Sequence, residues 1–188
     1  VAAINAALDS GAGVLISTDW PAGSEAGNIV QNPDAPISTT AAGGTSLTLR
    51  AANNIVLDAG IESTGDALNV QLIANDVSQS GHDPDTNAGD VSIAEDIDTN
   101  GGTFTSSGVG FDNTGATIST DGGSVAVNHT GAVTLGAAIN TGVGNVDIDT
   151  TATLNVSSTI DTTSGNVTLD SDGVTTIAGG GDITSTTG

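Results

Sequence analysis

The sequence predicts an all-β chain wound as a right-handed parallel β-helix, and three observations predict it. Isoleucines recur at Ile16, Ile37, Ile61, Ile97, Ile118, Ile139, Ile160 and Ile183, spaced 21, 24, 36, 21, 21, 21 and 23 residues apart. Each is followed two positions later by a hydroxyl residue: Thr18, Thr39, Ser63, Thr99, Thr120, Thr141, Thr162 and Ser185. The remaining apolar residues fall in pairs, two apart, at fixed offsets from that column. A period of about twenty residues marks a solenoid, whose repeats bury their apolar faces only by stacking on one another.

Within each coil the pairs define three short strands. Fourteen and twelve residues before the isoleucine stand Leu47/Leu49, Phe104/Ser106, Val125/Val127 and Val146/Ile148. Six and four before it stand Ile55/Leu57, Val91/Ile93, Val133/Leu135 and Leu154/Val156. Apolar residues two apart are the pattern of strands buried on one face. Gly101-Gly102, Gly122-Gly123, Gly144-Asn145 and Gly165-Asn166 mark the corners, where residues tolerant of turn conformations are needed. Helical periodicity is not expected anywhere, because Lys, Arg, Gln, Glu and Met are nearly absent. Three strands per coil of about 21 residues, repeated over roughly eight coils at about 4.8 Å each, give a rod on the order of 40 Å long. Left-handed β-helices built on hexapeptides take about 18 residues per coil, so the longer coil points to the right-handed form.

Departures from the period locate irregularities in what reads as one domain spanning residues 1–188. Fifteen extra residues between Ile61 and Ile97 are assigned to the span from Leu72 to Val91. The polar stretch 74–90, with Pro84, reads as one loop leaving the coil. Three extra residues follow Ile37 and two precede Ile183, near Gly179–Gly181. Residues 1–40 fit poorly: Gly23 and Glu25 replace apolar residues, and Pro21, Pro33 and Pro36 cluster there. They are expected to form less regular coils or the edge of another module. The repeat runs on to Thr187-Gly188, which suggests a segment of a longer rod.

Composition narrows the chemistry. The chain of 188 residues has a net charge of −21, with Arg50 the lone cation against 22 acids. Nucleic-acid binding requires cations that displace phosphate counterions, so no nucleic-acid partner is expected. No apolar run approaches the length of a membrane span, so membrane insertion is not expected. Cysteine is absent, which removes disulfides, thiolate metal sites and cysteine nucleophiles.

Calcium is the one cofactor the acids suggest. Asp-x-Asp pairs occur at Asp83/Asp85, Asp96/Asp98, Asp147/Asp149 and Asp170/Asp172, and alternate strand residues share a face where two hard oxygens can meet one cation. Asp149 and Asp170, 21 residues apart, are expected to stack on adjacent coils, pointing outward. The loop acids Asp76, Asp83, Asp85 and Asp90 form the best single candidate metal site. Neither the Gly-Gly-x-Gly-x-Asp nonapeptide of calcium β-rolls nor EF-hand spacing is present.

Catalysis is not expected. Uronate-cleaving β-helix enzymes need cations or a strong base in their groove, and Arg50 stands alone. Paired carboxylates for glycoside hydrolysis are arithmetically available, yet nothing singles out a pair. His82 in the loop and His129 after Val127 read as exposed imidazoles at turns. A flat Thr face for ice is not expected either, since the residue inside the isoleucine–threonine step varies: Ser17, Ser38, Glu62, Asp98, Ser119, Asn140, Asp161 and Thr184. The Asn-x-Ser/Thr triplets at Asn128, Asn155 and Asn166 are those a chain of this composition produces by chance.

Residues 122–173 (GGSVAVNHTGAVTLGAAINTGVGNVDIDTTATLNVSSTIDTTSGNVTLDSDG) resemble the repeat region of filamentous haemagglutinin-like proteins, large bacterial adhesins commonly exported by two-partner secretion. The resemblance spans roughly residues 44–188 and rests on the Gly-[Gly/Asn]-x-Val-x-[Val/Ile/Leu] opening, the glycine corners and the Ile-x-Thr column. It implies an extracellular or cell-surface stalk whose surface ligand is contacted by other parts of the chain, and it brings no catalytic residues. The alternatives are the subunit of a self-assembling extracellular filament and, further off, a carbohydrate-active β-helix enzyme.

Overall fold

The computed structural model describes residues 1–18, 27–76 and 89–186. It is an all-β parallel solenoid of about six turns, with three sheets of seven strands each. With strands numbered in chain order, the first sheet stacks β1 (Val14–Ser17), β4 (Thr45–Arg50), β7 (Leu68–Ile73), β10 (Phe104–Gly108), β13 (Val125–His129), β16 (Val146–Thr150) and β19 (Val167–Ser171). The second stacks β2 (Ile29–Gln31), β5 (Ile55–Leu57), β8 (Val91–Ile93), β11 (Phe111–Asp112), β14 (Val133–Leu135), β17 (Leu154–Val156) and β20 (Thr175–Ile177). The third holds β3 (Ile37–Thr39), β6 (Ile61–Ser63), β9 (Ile97–Asp98), β12 (Ile118–Ser119), β15 (Ile139–Gly142), β18 (Ile160–Thr162) and β21 (Ile183–Ser185). Every named pairing is parallel, so each sheet adds one strand per turn. At about 4.8 Å per step the described rod is roughly 30 Å long.

Alternation builds the core. In β13, Val125, Val127 and His129 are buried while Asn128 between them is exposed. Stacking repeats that choice in register, with Val125 over Val146 and Val127 over Ile148. The resulting aliphatic columns carry two aromatic rings, Phe104 and Phe111, in an edge contact at 6.4 Å. Each fully buried Leu, Ile or Val contributes about 1.5–3 kcal/mol against exposure.

Seven of the eight periodic isoleucines, from Ile37 to Ile183, stand on one another in the third sheet. Ile16 does not. It lies in β1 of the first sheet, paired with Leu49, so its distance of 21 from Ile37 is a coincidence of loop lengths. The column is therefore one turn shorter than the spacing suggests. The fifteen extra residues also divide: two lengthen the corner between Ser63 and Leu68, and the rest lie between β7 and β8, as the registers Val70↔Phe104 and Phe111↔Val91 require.

The hydroxyl column closes the corners. Thr99, Thr120, Thr141 and Thr162 are fully buried. Thr99, Thr141 and Thr162 donate to the carbonyls of Gly102, Gly144 and Gly165 at 2.6, 2.6 and 2.8 Å, and Thr120 donates likewise to Gly123. Each bond satisfies a carbonyl that turns inward where the chain leaves the third sheet, which a buried corner cannot leave unpaired. The same corner demands glycine for space. A Cβ at Gly123, Gly144 or Gly165 would overlap the carbonyl oxygen of the glycine one turn earlier. The residue after each threonine is left-handed in three successive turns, at Asn100, Asp121 and Gly142 (φ 45°, 48° and 61°).

One helix breaks the all-β expectation: α1 (Ala2–Asp9) lies against β1, β3 and β4 and buries Leu8 completely in the core. Four alanines in eight residues supply the propensity, and Ile4 and Leu8, one turn apart, face the solenoid. Asp9 fixes its end by accepting from the Thr40 backbone N–H at 2.7 Å, a bond that holds its carboxyl below the usual range. Strands β1, β2 and β3 pair into the same three sheets as the later strands, while Pro21, Gly23, Glu25 and Thr187-Gly188 lie outside the described residues. Among those described, no helix is long and apolar enough to cross a membrane.

Two substitutions test this account by urea unfolding. Thr141→Val keeps shape but strands the Gly144 carbonyl and is expected to cost about 1–2 kcal/mol, with Thr141→Ser close to native. Gly144→Ala is expected to cost at least about 2–3 kcal/mol, because two backbones must separate.

Candidate functional site

The surface that could meet a ligand is the outer face of the three sheets, and its outward residues are largely acids and short polar side chains. On the first sheet, Asn128, Asp149 and Asp170 occupy successive turns at one register position. They border a hollow of about 190 Å³ together with Asp147 and Thr168. On the third sheet Glu62 pairs with Asp98 across a 36-residue step. Glu95 and Asp96 join them around a shallow hollow of about 360 Å³. The expected stacking of Asp149 on Asp170 is therefore present, and so is the mixed ladder Ser38, Glu62, Asp98, Ser119, Asn140, Asp161 and Thr184. Ser17 belongs instead to the first sheet with Ile16.

Of the four loop acids, Asp83 and Asp85 lie outside the described residues, as does His82. Asp76 is nearly buried and takes Nε and Nη2 of Arg50 at 2.7 and 2.6 Å. The single cation of the chain thus neutralises the carboxylate at the root of the loop. Asp90 at the other root is exposed and accepts from the Gly110 backbone N–H at 2.8 Å. Asp96 likewise accepts from the Thr117 N–H at 2.7 Å, and Asp112 from Thr114. These acids serve as corner clamps, since a carboxylate beside an unpaired backbone N–H makes a short charge-assisted bond. Among the described residues, no group of three or more His or acidic side chains converges on one point.

His129 overturns its expected place at an exposed turn. It is the third inward residue of β13, 1% exposed. Its Nε2 lies 2.9 Å from Ser106 Oγ on the preceding turn, and its ring tilts over Phe111 at 5.5 Å. Gly108, its register partner, has no side chain, and the ring uses that room: a Cβ there would stand 3.2 Å from Cε1. Nδ1 is buried without a hydrogen-bond partner. Loss of hydration pulls the imidazole pKa down to about 4, outweighing the Val109 and Gly110 backbone groups that favour the charged ring. The signal was in the sequence, because Val125, Val127 and His129 continue one alternation.

No family model, curated protein or solved structure matches the chain.

The stacked acids make a measurable prediction. Asp149→Asn removes one member of a like-charged register pair. It is expected to raise the thermal midpoint by a degree or two in low salt, with the gain shrinking in 0.5 M NaCl as the repulsion is screened.

Proposed function

We propose that this chain is a structural stalk segment of a large secreted or cell-surface bacterial adhesin, and that it is not an enzyme. The observation that carries the reading is the stacking of three parallel ladders, seven strands each, over one aliphatic core. Such a body transmits position along an axis and exposes little that distinguishes one turn from the next. Its described outer face, mostly short polar and acidic side chains with single exposed apolar residues such as Leu15, Val30 and Val143, suits exposure to water. Residues 44–188 also resemble filamentous haemagglutinin-like repeats in sequence. The right-handed sense belongs to this reading, supported by the 21-residue step and by the hand of parallel crossovers in general.

The second reading is a filament subunit joined end to end. It is disfavoured by α1, whose Leu8 packs into the core beside β1 and β3. Another copy could stack there only after the helix moved.

Electron microscopy and intact mass of the protein from its native source decide between them. The stalk predicts a chain far longer than 188 residues, seen as a thin rod advancing about 4.8 Å per coil. A short mature subunit that assembles into filaments would overturn it in favour of the polymer.

A further inference from the structure

We propose that the corner formed by residues 107–110, resting on the buried ring of His129, is an acid-released latch on two roots, Ala74 and Gly89–Val91, which flank residues 77–88. The corner holds both roots. Ser107 O accepts from the Ala74 N–H at 2.9 Å, and the Val109 N–H donates to Gly89 O at 2.8 Å. The Gly110 N–H donates to Asp90 Oδ1 at 2.8 Å, and Gly110 O accepts from the Val91 N–H at 2.9 Å. From below, the corner is carried by the turn that follows His129. Thr130 and Gly131 donate to Gly108 O and Val109 O at 3.1 and 2.7 Å. The imidazole itself lies against Gly108 and tilts over Phe111.

Only the Val109 and Gly110 backbone groups favour a proton on the ring, and the loss of hydration outweighs them. The carboxylates on the packed elements are Asp90, Asp112 beyond Phe111, and Asp147 and Asp149 on β16, and all four are exposed. Strand β10 contributes no ionisable side chain, and the ring's side-chain hydrogen-bond partner is the Ser106 hydroxyl. A proton is therefore taken up in an opened state, where the imidazole regains its ordinary affinity near pH 6.5, before it is taken up in the closed one, near pH 4. The sign follows: closure is fully favoured above pH 6.5 and is progressively lost as pH falls toward 4. Between pH 6.5 and 4.5 the population of any opening that hydrates His129 rises about fortyfold.

The opposite side of the same roots provides an internal control. Asn54 Oδ1 accepts from the Gly89 and Asp90 N–H groups at 2.7 and 2.8 Å, and Asn53 O and Ala51 O accept from Asn75 and Asp76. These bonds do not involve the His129 corner and are expected to persist.

Amide hydrogen exchange by NMR at pH 6.5 and 4.5, corrected for intrinsic chemistry, tests the latch on the whole chain. Protection at Ala74, Val109, Gly110, Thr130 and Gly131 is expected to fall about fortyfold, while Asn75, Asp76, Gly89 and Asp90 change far less. His129→Gln is expected to abolish the fall. Equal loss at both sets of amides, or the same loss in His129→Gln, overturns the proposal. If that variant does not fold, imidazole ¹⁵N shifts of the native protein decide: a ring that titrates near 6.5 with the corner still protected overturns it as well.

Discussion

Every feature of this molecule answers to the requirement that a parallel ladder place the same backbone atoms of one turn above those of the last. A strand pair in a hairpin can absorb a misfit in its own loop. A turn of a solenoid takes up extra residues only between its strands, as from Ser63 to Leu68, because three ladders hold the same segment. The corner between the third and first sheets shows how tightly this binds the sequence. Carbonyls from consecutive turns pass so near that no Cβ fits at Gly123, Gly144 or Gly165. The carbonyls that turn inward are satisfied by threonine hydroxyls of the same corner. Glycine and threonine thus recur for complementary reasons, one making room and the other filling a polar need.

That constraint also explains what could be read from the chain. Ladder register writes itself into sequence as fixed spacing, so the isoleucine column, the three strand positions and the outward stacking of Asp149 on Asp170 were all legible. Features that the register does not govern were not. Ile16 stands the right distance from Ile37 and yet belongs to another sheet, since spacing alone does not say which side of the coil a residue is on. The helix α1 precedes the first ladder and is written in alanine propensity rather than in period. Arg50 and Asp76 meet because β4 and β7 are neighbours, and neither residue carries a periodic mark.

His129 is a more instructive miss. Its type suggested solvent, whereas its position in the alternation pointed inward, and position won. The interior accepted it by leaving Gly108 without a side chain and offering Ser106 as a neighbour. Two later turns put Thr150 and Ser171 at the same register position, so this third inward site of the first sheet, like the threonine column of the third, is consistently small or polar. The acids show the converse arrangement. They remain outside, where several of them hold backbone N–H groups at the corners.

The pairing of Arg50 with Asp76 has a meaning beyond stability. Trypsin-like proteases cut after lysine or arginine, and in 188 residues this chain offers them a single bond. That bond ends β4: the Arg50 carbonyl accepts from Thr18, the Ala51 N–H donates to Ile73, and the guanidinium is held by a nearly buried carboxylate. A protease must draw an extended segment into its cleft, and here the segment is stitched to the turn on either side. To that whole class of digestive and host-defence enzymes, the described rod presents almost nothing to cut.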